Sequence, residues 1–208
     1  MSAVTVPAST AQALAMLECA MGFLADASAH AAEMPAEALA DCLRGLERVD
    51  AAGAAVRGQL LAAFGAGNGY LADGQRTSRT WLMHCLGVTR GQAGEHLAVA
   101  GLAREHRPLL AGLGEGHVLT KSVALQLARW TRAIPAEFRE EAEEILVTAA
   151  RSGVGLRGLA RICAEIRYRT APPDGGDGEP DEDPDRGVSL ETTLDGAGVG
   201  NCSADSER

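Results

Sequence analysis

The chain has 208 residues, 46% of them hydrophobic, so it is long enough to bury a core within one domain of ordinary size. Only 3% of the residues are aromatic, and the abundance of alanine and leucine favours closely packed helices over a sheet. No apolar run reaches the roughly 18 residues of a membrane span, and Glu18 interrupts an N-terminus that lacks the basic start of a secretory signal. These features predict a cytoplasmic protein with no membrane partner.

The formal net charge of −9 is unevenly distributed along the chain. Residues 1–35 have three acids and no base, residues 36–170 have 17 bases and 14 acids, and residues 171–208 have 11 acids and two bases. The region with the strongest helical patterns is therefore slightly basic, and most of the acidity belongs to the C-terminal tail.

The first two helices are predicted from apolar spacing. Residues 1–35 are expected to form one helix that packs on the rest, capped by Ser9 or Thr10, with an apolar stripe of Leu14, Leu17, Met21 and Leu24. Pro35 then begins the longest helix, about 36–64. Its stripe alternates steps of three and four residues through Leu39, Cys42, Leu46, Val49, Gly53, Val56 and Leu60. The partner of this stripe is either the first helix, folded back as a hairpin, or a second copy of the chain.

Residues 77–103 predict two short helices joined by a tight turn at Gly87, with Thr77 and Thr89 as N-caps. The first helix is expected to bury Trp81, Leu82, Cys85 and Leu86, and the second to bury Ala93, Leu97, Ala100 and Gly101 against a close neighbour. Thr89, Gln92 and His96, flanked by Arg90, lie on the opposite side of the second helix. This outline is typical of a helix-turn-helix, although Glu95 would face phosphate unfavourably and many such corners bind nothing.

The remaining elements complete an all-α prediction. Pro108 opens a short turn, Thr120 caps a helix, and Pro135 begins another whose stripe is Phe138, Ala142, Ile145 and Ala149. A last helix is expected over residues 156–169. Residues 36–170 are thus predicted to form a multi-helix bundle containing the helix-turn-helix-like pair. Residues 171–187 read as a disordered acidic linker, and residues 188–208 as the truncated start of a second region with an extended segment at Val188, Leu190 and Thr192.

No spacing in this sequence predicts catalysis, a metal or a cofactor. The five histidines lack a His or Cys partner at helical metal-site spacing. The glutamates between residues 137 and 144 are assigned to the solvated start of a helix, where they favour its dipole. Cys42, Cys85 and Cys163 fall within apolar stripes, which predicts buried, reduced thiols in a reducing compartment. We therefore expect no catalytic residue, metal or small-molecule substrate.

The basic residues are the candidate functional residues. Arg76, Arg79 and Arg90 meet no acid between Asp73 and Glu95, and Arg157 and Arg161 lie one turn apart on the last helix. Such residues can neutralise phosphates and give salt-dependent affinity for DNA. The candidate DNA-binding set is Arg76, Arg79, Thr89, Arg90, Gln92, His96, Arg157 and Arg161. The alternative is an ordinary solvated face, covered in the last helix by the acidic linker that follows it.

Two runs of sequence resemble a known family. They are ADGQRTSRTWLMHCLGVTRGQAGEHLAVAGLA and REHRPLLAGLGEGHVLTKSVALQLARWTRAIP, and RGVSLETTLDGAGVG matches the opening of the family's second part through its Leu194-Asp195-Gly196. Over roughly residues 36–200 the chain is similar to domain of unknown function number 222, also called the 13E12 repeat family. Members of that family typically place this helical region ahead of an HNH nuclease module that binds a divalent metal.

The resemblance implies a helical region without the nuclease, because this chain has neither the HNH triplet nor a C-x-x-C pair. No catalytic residue of the family corresponds to a position here. The resulting hypothesis is a truncated, non-catalytic helical domain that binds DNA or positions a nuclease module. The alternative is a protein–protein or dimerisation module that acts through the long heptad helix without contacting nucleic acid.

Overall fold

A computed structural model describes residues 6–171 and the backbone of residues 188–192 and 198–202. Within these residues the chain forms eight α-helices, which confirms the all-α, multi-helix prediction. The helices are α1 Thr10–Ser28, α2 Ala36–Ala66, α3 Ser78–Cys85, α4 Arg90–Glu105, α5 Arg107–Gly114, α6 Lys121–Thr131, α7 Ala136–Arg151 and α8 Leu156–Thr170. Short 3₁₀ turns at Ala31–Glu33 and Gly69–Asp73 connect α1 to α2 and α2 to α3.

The C-terminal segment is described only as a pair of antiparallel strands, β1 Val188–Thr192 and β2 Gly198–Cys202, with Leu190 opposite Gly200. The first strand coincides with the predicted extended segment, and the second had no counterpart among the predicted elements. Residues 172–187, where the sequence predicts a disordered linker, and the Leu194-Asp195-Gly196 motif lie outside the described residues.

The helix boundaries follow from the capping residues. The side chains of Ser9, Thr77, Thr89 and Thr120 each accept a hydrogen bond from a backbone N–H in the first turn of the helix they precede. Each cap satisfies one of the N–H groups that a helix start leaves without a partner. Pro35 and Pro135 immediately precede α2 and α7, where the fixed φ of proline costs nothing.

The main core lies around α5, whose Leu109 and Leu113 are fully buried against residues of α2, α4, α6, α7 and α8. A second, smaller core joins α2, α3 and α4 through Leu61, Leu82 and Ala100. At its edge the ring centroids of Phe64 and Trp81 lie 4.5 Å apart. The Trp81 indole Nε1 donates to Asp73 Oδ2 at 2.6 Å, which gives the half-buried ring its polar partner.

The predicted stripe is not the face through which α2 packs in the core. The helix turns a face of small residues to the core, namely Ala51, Ala54, Ala55, Gly58 and Leu61. Three residues of the predicted stripe, Val49, Val56 and Leu60, are exposed instead. The face of small side chains packs in the core because it allows the α2 backbone to lie close against α4. A Cβ added to Gly58 would lie 3.0 Å from the Val99 carbonyl oxygen.

Other predicted burials also need correction. Cys42 and Cys85 are exposed, so of the three cysteines predicted to be buried only Cys163 is. Leu86 is exposed beyond the end of α3, where the chain has already turned away from the core that buries Leu82. In α4 the close approach does not involve Gly101, since a Cβ added there would meet nothing within 4 Å.

Candidate nucleic-acid interface

The α3–α4 corner has the local structure of a helix-turn-helix pair. Thr77 and Thr80 form a capping box in which each side chain bonds the other's backbone N–H. Gly87 connects the helices with φ of +67°, a conformation that glycine adopts without a Cβ penalty. Thr89 then uses its hydroxyl oxygen to accept from the Gln92 backbone N–H at 3.2 Å. The hydroxyl predicted to contact DNA is therefore already engaged as an N-cap.

The face of α4 predicted to read DNA lies beside α2 and lines a polar cleft. Gln92 and His96 border this cleft of roughly 330 Å³. The other charged residues around it are Glu47, Asp50 and Arg57 of α2, Glu95 of α4 and Lys121 at the start of α6. Three carboxylates against two cations give the cleft a slightly acidic lining. We call this site the α2–α4 cleft.

The charges in the α2–α4 cleft are partly paired. Lys121 Nζ donates to Glu95 Oε2 at 2.8 Å, and this hydrogen bond lowers the pKa of the Glu95 carboxyl. Burial, assisted by the positive charges of Arg57 and Lys121, lowers the pKa of His96 below its ordinary value, against a smaller opposing effect of Glu95. The His96 imidazole is therefore neutral at pH 7. This arrangement suits hydrogen bonding to an uncharged polar group and opposes the approach of a phosphate.

We expect the lowered pKa of His96 to make the domain less stable in mild acid. A histidine whose pKa is lower in the folded than in the unfolded state contributes stability above its unfolded pKa of about 6.5, and that contribution is lost as pH falls through the folded pKa. His96→Gln should therefore flatten the decline in unfolding free energy between pH 7 and pH 5. Urea titrations at several pH values would measure this, with His84→Gln, at an exposed histidine of α3, as the control. Equal slopes for the wild type and His96→Gln would contradict the expectation.

A different basic surface lies on α8. Arg157, Arg161 and Tyr168 follow one another at steps of four and seven residues, which places them on one side of the helix. All three are exposed, and Tyr168 is 82% accessible. Arg167 is exposed beside them. Within the described part of the chain, neither Arg157, Arg161 nor Arg167 forms an ion pair. We call Arg157, Arg161, Arg167 and Tyr168 the α8 basic face.

Two neighbouring arginines do not contribute to this face as free charges. Arg151 pairs with Glu115 at 2.6 Å, and this hydrogen bond lowers the pKa of the Glu115 carboxyl. Arg169 pairs with Glu165 of its own helix at 2.6 Å. Among the described residues, the arginines of α8 without an ion pair are therefore Arg157, Arg161 and Arg167.

The structure divides the predicted DNA-binding residues into three groups. Arg76, Arg79, Thr89 and Arg90 are exposed around the α3–α4 corner, Gln92 and His96 border the α2–α4 cleft, and Arg157 and Arg161 lie on α8. Both helices of the corner pack against α2, whereas α8 packs against α6 and α7. The candidate residues thus belong to separate surfaces.

Two features escaped the sequence reasoning. Tyr168 was not included, although its spacing from Arg157 and Arg161 already places it on their side of α8. The second is a buried polar network in which Glu143 Oε1 lies 2.5 Å from His106 Nδ1 and accepts from the Thr131 hydroxyl at 2.9 Å. Glu143 is only 1% exposed, so its assignment to a solvated helix start is wrong.

The buried network is a structural connection between α7, the end of α6 and the junction of α4 with α5. Arg139 adds to it by donating to the carbonyl oxygens of Thr131 and Ile134, at 3.3 and 3.2 Å, where α6 ends. These bonds satisfy carbonyl groups that a helix end leaves free. Among the described residues, no group of three or more His, Cys, Asp or Glu side chains could hold a metal ion.

The chain matches no family model, no curated protein and no solved structure. Of the helices that the structure describes, none combines the length and apolar character needed to cross a membrane.

Proposed function

We propose that the helical domain binds nucleic acid through the α8 basic face, by contacts to phosphates that are independent of base sequence. The observation that carries this proposal is the combination of three exposed arginines without an ion pair among the described residues and an exposed tyrosine on one helix. Arginine forms bidentate hydrogen bonds with phosphate oxygens, and each phosphate neutralised releases counterions from the polymer.

The α2–α4 cleft argues against α4 as the element that enters a groove. A recognition helix presents its side chains to base edges, but Gln92 and His96 lie beside the carboxylates of Glu47 and Asp50. Those carboxylates would repel the phosphates that flank a groove. The corner arginines, Arg76, Arg79 and Arg90, lie on a separate surface and have at most a secondary role in this proposal.

Tyr168 adds a preference for exposed bases. An aromatic ring beside arginines provides a stacking surface, and stacking of one base on such a ring contributes about 1–3 kcal/mol in single-strand binding proteins. We therefore propose that single-stranded or partly unpaired DNA binds more tightly than a closed duplex. The resemblance to the 13E12 repeat family adds the proposal that the domain positions an attached nuclease module on its DNA substrate.

Replacing both Arg157 and Arg161 by glutamate should abolish most of the binding. Loss of two phosphate contacts reduces the slope of log K against log salt by about 2 for duplex DNA. The two new carboxylates also repel the backbone, so we expect affinity near 100 mM salt to fall by roughly two orders of magnitude. Fluorescence anisotropy with a labelled oligonucleotide, single-stranded and duplex, at four salt concentrations would measure both quantities.

The matched control is Arg76→Glu with Arg79→Glu, which changes the net charge equally at the α3–α4 corner. It should weaken binding much less than the α8 variant. If the corner variant has the larger effect, α8 is not the binding surface. If the wild type shows no salt-dependent affinity for either oligonucleotide, the domain does not bind DNA.

A further inference from the structure

Helix α1 is apolar yet has no buried residue. Its stripe of Leu14, Leu17, Met21 and Leu24 is between 39% and 61% exposed. In proteins most of the stability of a helix comes from packing of its apolar face rather than from helix propensity. The four side chains therefore indicate a surface that another element covers.

Helix α2 is apolar on two opposite faces. The face formed by Ala51, Ala54, Ala55, Gly58 and Leu61 packs in the core. Roughly half a turn away lies a second set, which we call the outer stripe: Cys42, Leu46, Val49, Val56 and Leu60. The outer stripe alternates steps of three, four and seven residues and includes no charged side chain. Val56 is 55% and Leu60 67% exposed, so the chain's own core leaves this face largely uncovered.

The two uncovered faces border one groove. A space of roughly 650 Å³ separates α1 from α2 and is lined by Leu17, Met21 and Leu24 on one side and by Leu46 and Val49 on the other. Arg48, Glu115 and His117 also line this groove. Along α2 the lining ends at Ala52, and Val56 and Leu60 continue the outer stripe beyond it. The groove and this extension form one apolar strip along the length of the α1–α2 hairpin.

We infer that a second copy of this chain packs on the strip, so that two α1–α2 hairpins form a four-helix arrangement. Seven large apolar side chains of the two stripes are between 39% and 67% exposed, which is on the order of several hundred Å² of the roughly 800 Å² that each partner of a standard interface buries. Apolar surface patches of this order often mark an interaction site.

Features of the outer stripe fit self-association in particular. Its lack of charge means that two identical stripes meet without like-charge repulsion. Gly45 and Ala52, which also line the groove, allow two helix backbones to approach closely. The steps along the outer stripe are four, three, seven and four residues. Steps of three, four and seven keep the side chains on one side of a helix, which is the spacing with which one helix packs lengthwise on another.

Sedimentation velocity on the full chain, from 1 to 100 μM, tests this inference. The wild type should sediment as a species of twice its 21.5 kDa mass at the higher concentrations. Leu60→Glu should raise the dimer dissociation constant at least tenfold. The matched control is Leu71→Glu, because Leu71 is 61% exposed and lies in the 3₁₀ turn after α2, away from the strip.

Each outcome bears on the inference directly. Both replaced leucines are more than half exposed, so circular dichroism should show helix content equal to that of the wild type; a dimer lost by Leu60→Glu alone supports the inference. A wild type that is monomeric at every concentration overturns it, as does equal weakening by Leu71→Glu. Arg157→Glu with Arg161→Glu should leave the dimer unchanged, which separates this surface from the α8 basic face.

Discussion

Replacing Glu143 by alanine should lower the free energy of unfolding by about 3–5 kcal/mol. The carboxylate is the shared partner of His106 and Thr131, both of which are buried with it. Its removal leaves a buried imidazole nitrogen and a buried hydroxyl without their partner, and it also opens a cavity between α5, α6 and α7. Since small domains are stable by only about 5–15 kcal/mol, this one substitution removes a large part of the total. Guanidinium titration followed by circular dichroism would measure it.

The neighbouring Glu144 supplies the matched control, because it is exposed in the same helix. Glu144→Ala should change stability by less than about 0.5 kcal/mol. Glu143→Gln should fall between the two, because its amide oxygen can still accept from Thr131. The triple variant Glu143→Leu, His106→Leu and Thr131→Val should recover part of the loss, since it replaces all three buried polar side chains by apolar ones. Similar small effects of Glu143→Ala and Glu144→Ala would show that the network does not stabilise the fold.

The ends of the helices were predictable because local chemistry determines them. Ser9, Thr77 and Thr120 supply cap oxygens to the turn that immediately follows, and Gly87 adopts the positive φ that its turn requires. Each of these interactions joins residues a few positions apart in the sequence. Both interacting residues can therefore be identified from a short stretch of sequence.

The faces of the helices were less predictable because tertiary packing decides them. In α7 the predicted stripe includes Phe138 and Ile145, which are exposed, whereas the buried face includes Ala142, Glu143 and Leu146. The true face is turned by roughly a quarter of the circumference. That rotation brings Glu143 to His106, which lies 37 positions away in the sequence. The sequence around His106 or Glu143 does not indicate that these two residues pair.

In the candidate interface, too, local features were predictable and those that depend on tertiary packing were not. The exposure of Arg157 and Arg161 was predictable, because the apolar residues of the last helix lie on its opposite side. The cleft that Gln92 and His96 border was not, because two of its three carboxylates, Glu47 and Asp50, come from α2, some 40 positions earlier in the chain. The spacing of polar residues on α4 alone therefore could not distinguish a helix that reads DNA from one that lines a cleft.

Replacing Gly58 by leucine should destabilise the domain by about 2–3 kcal/mol. A Cβ at Gly58 would lie 2.7 Å from Val99 Cγ1 and 3.0 Å from the Val99 carbonyl oxygen. Val99 is itself buried, so neither its side chain nor its backbone can move aside without separating α2 from α4. The larger leucine adds further overlap at the same point. Urea denaturation of the full chain would measure the loss.

Alanine at Gly58 and at Gly101 should shift stability in opposite directions. Both glycines lie inside helices, where alanine is intrinsically favoured by about 0.5–1 kcal/mol. At Gly101 a Cβ meets nothing within 4 Å, so Gly101→Ala should retain that full gain. At Gly58 the contact with the Val99 backbone should outweigh the gain and leave a net loss of about 1 kcal/mol. Stabilisation by both alanines would mean that close backbone contact at Gly58 does not hold α2 and α4 together.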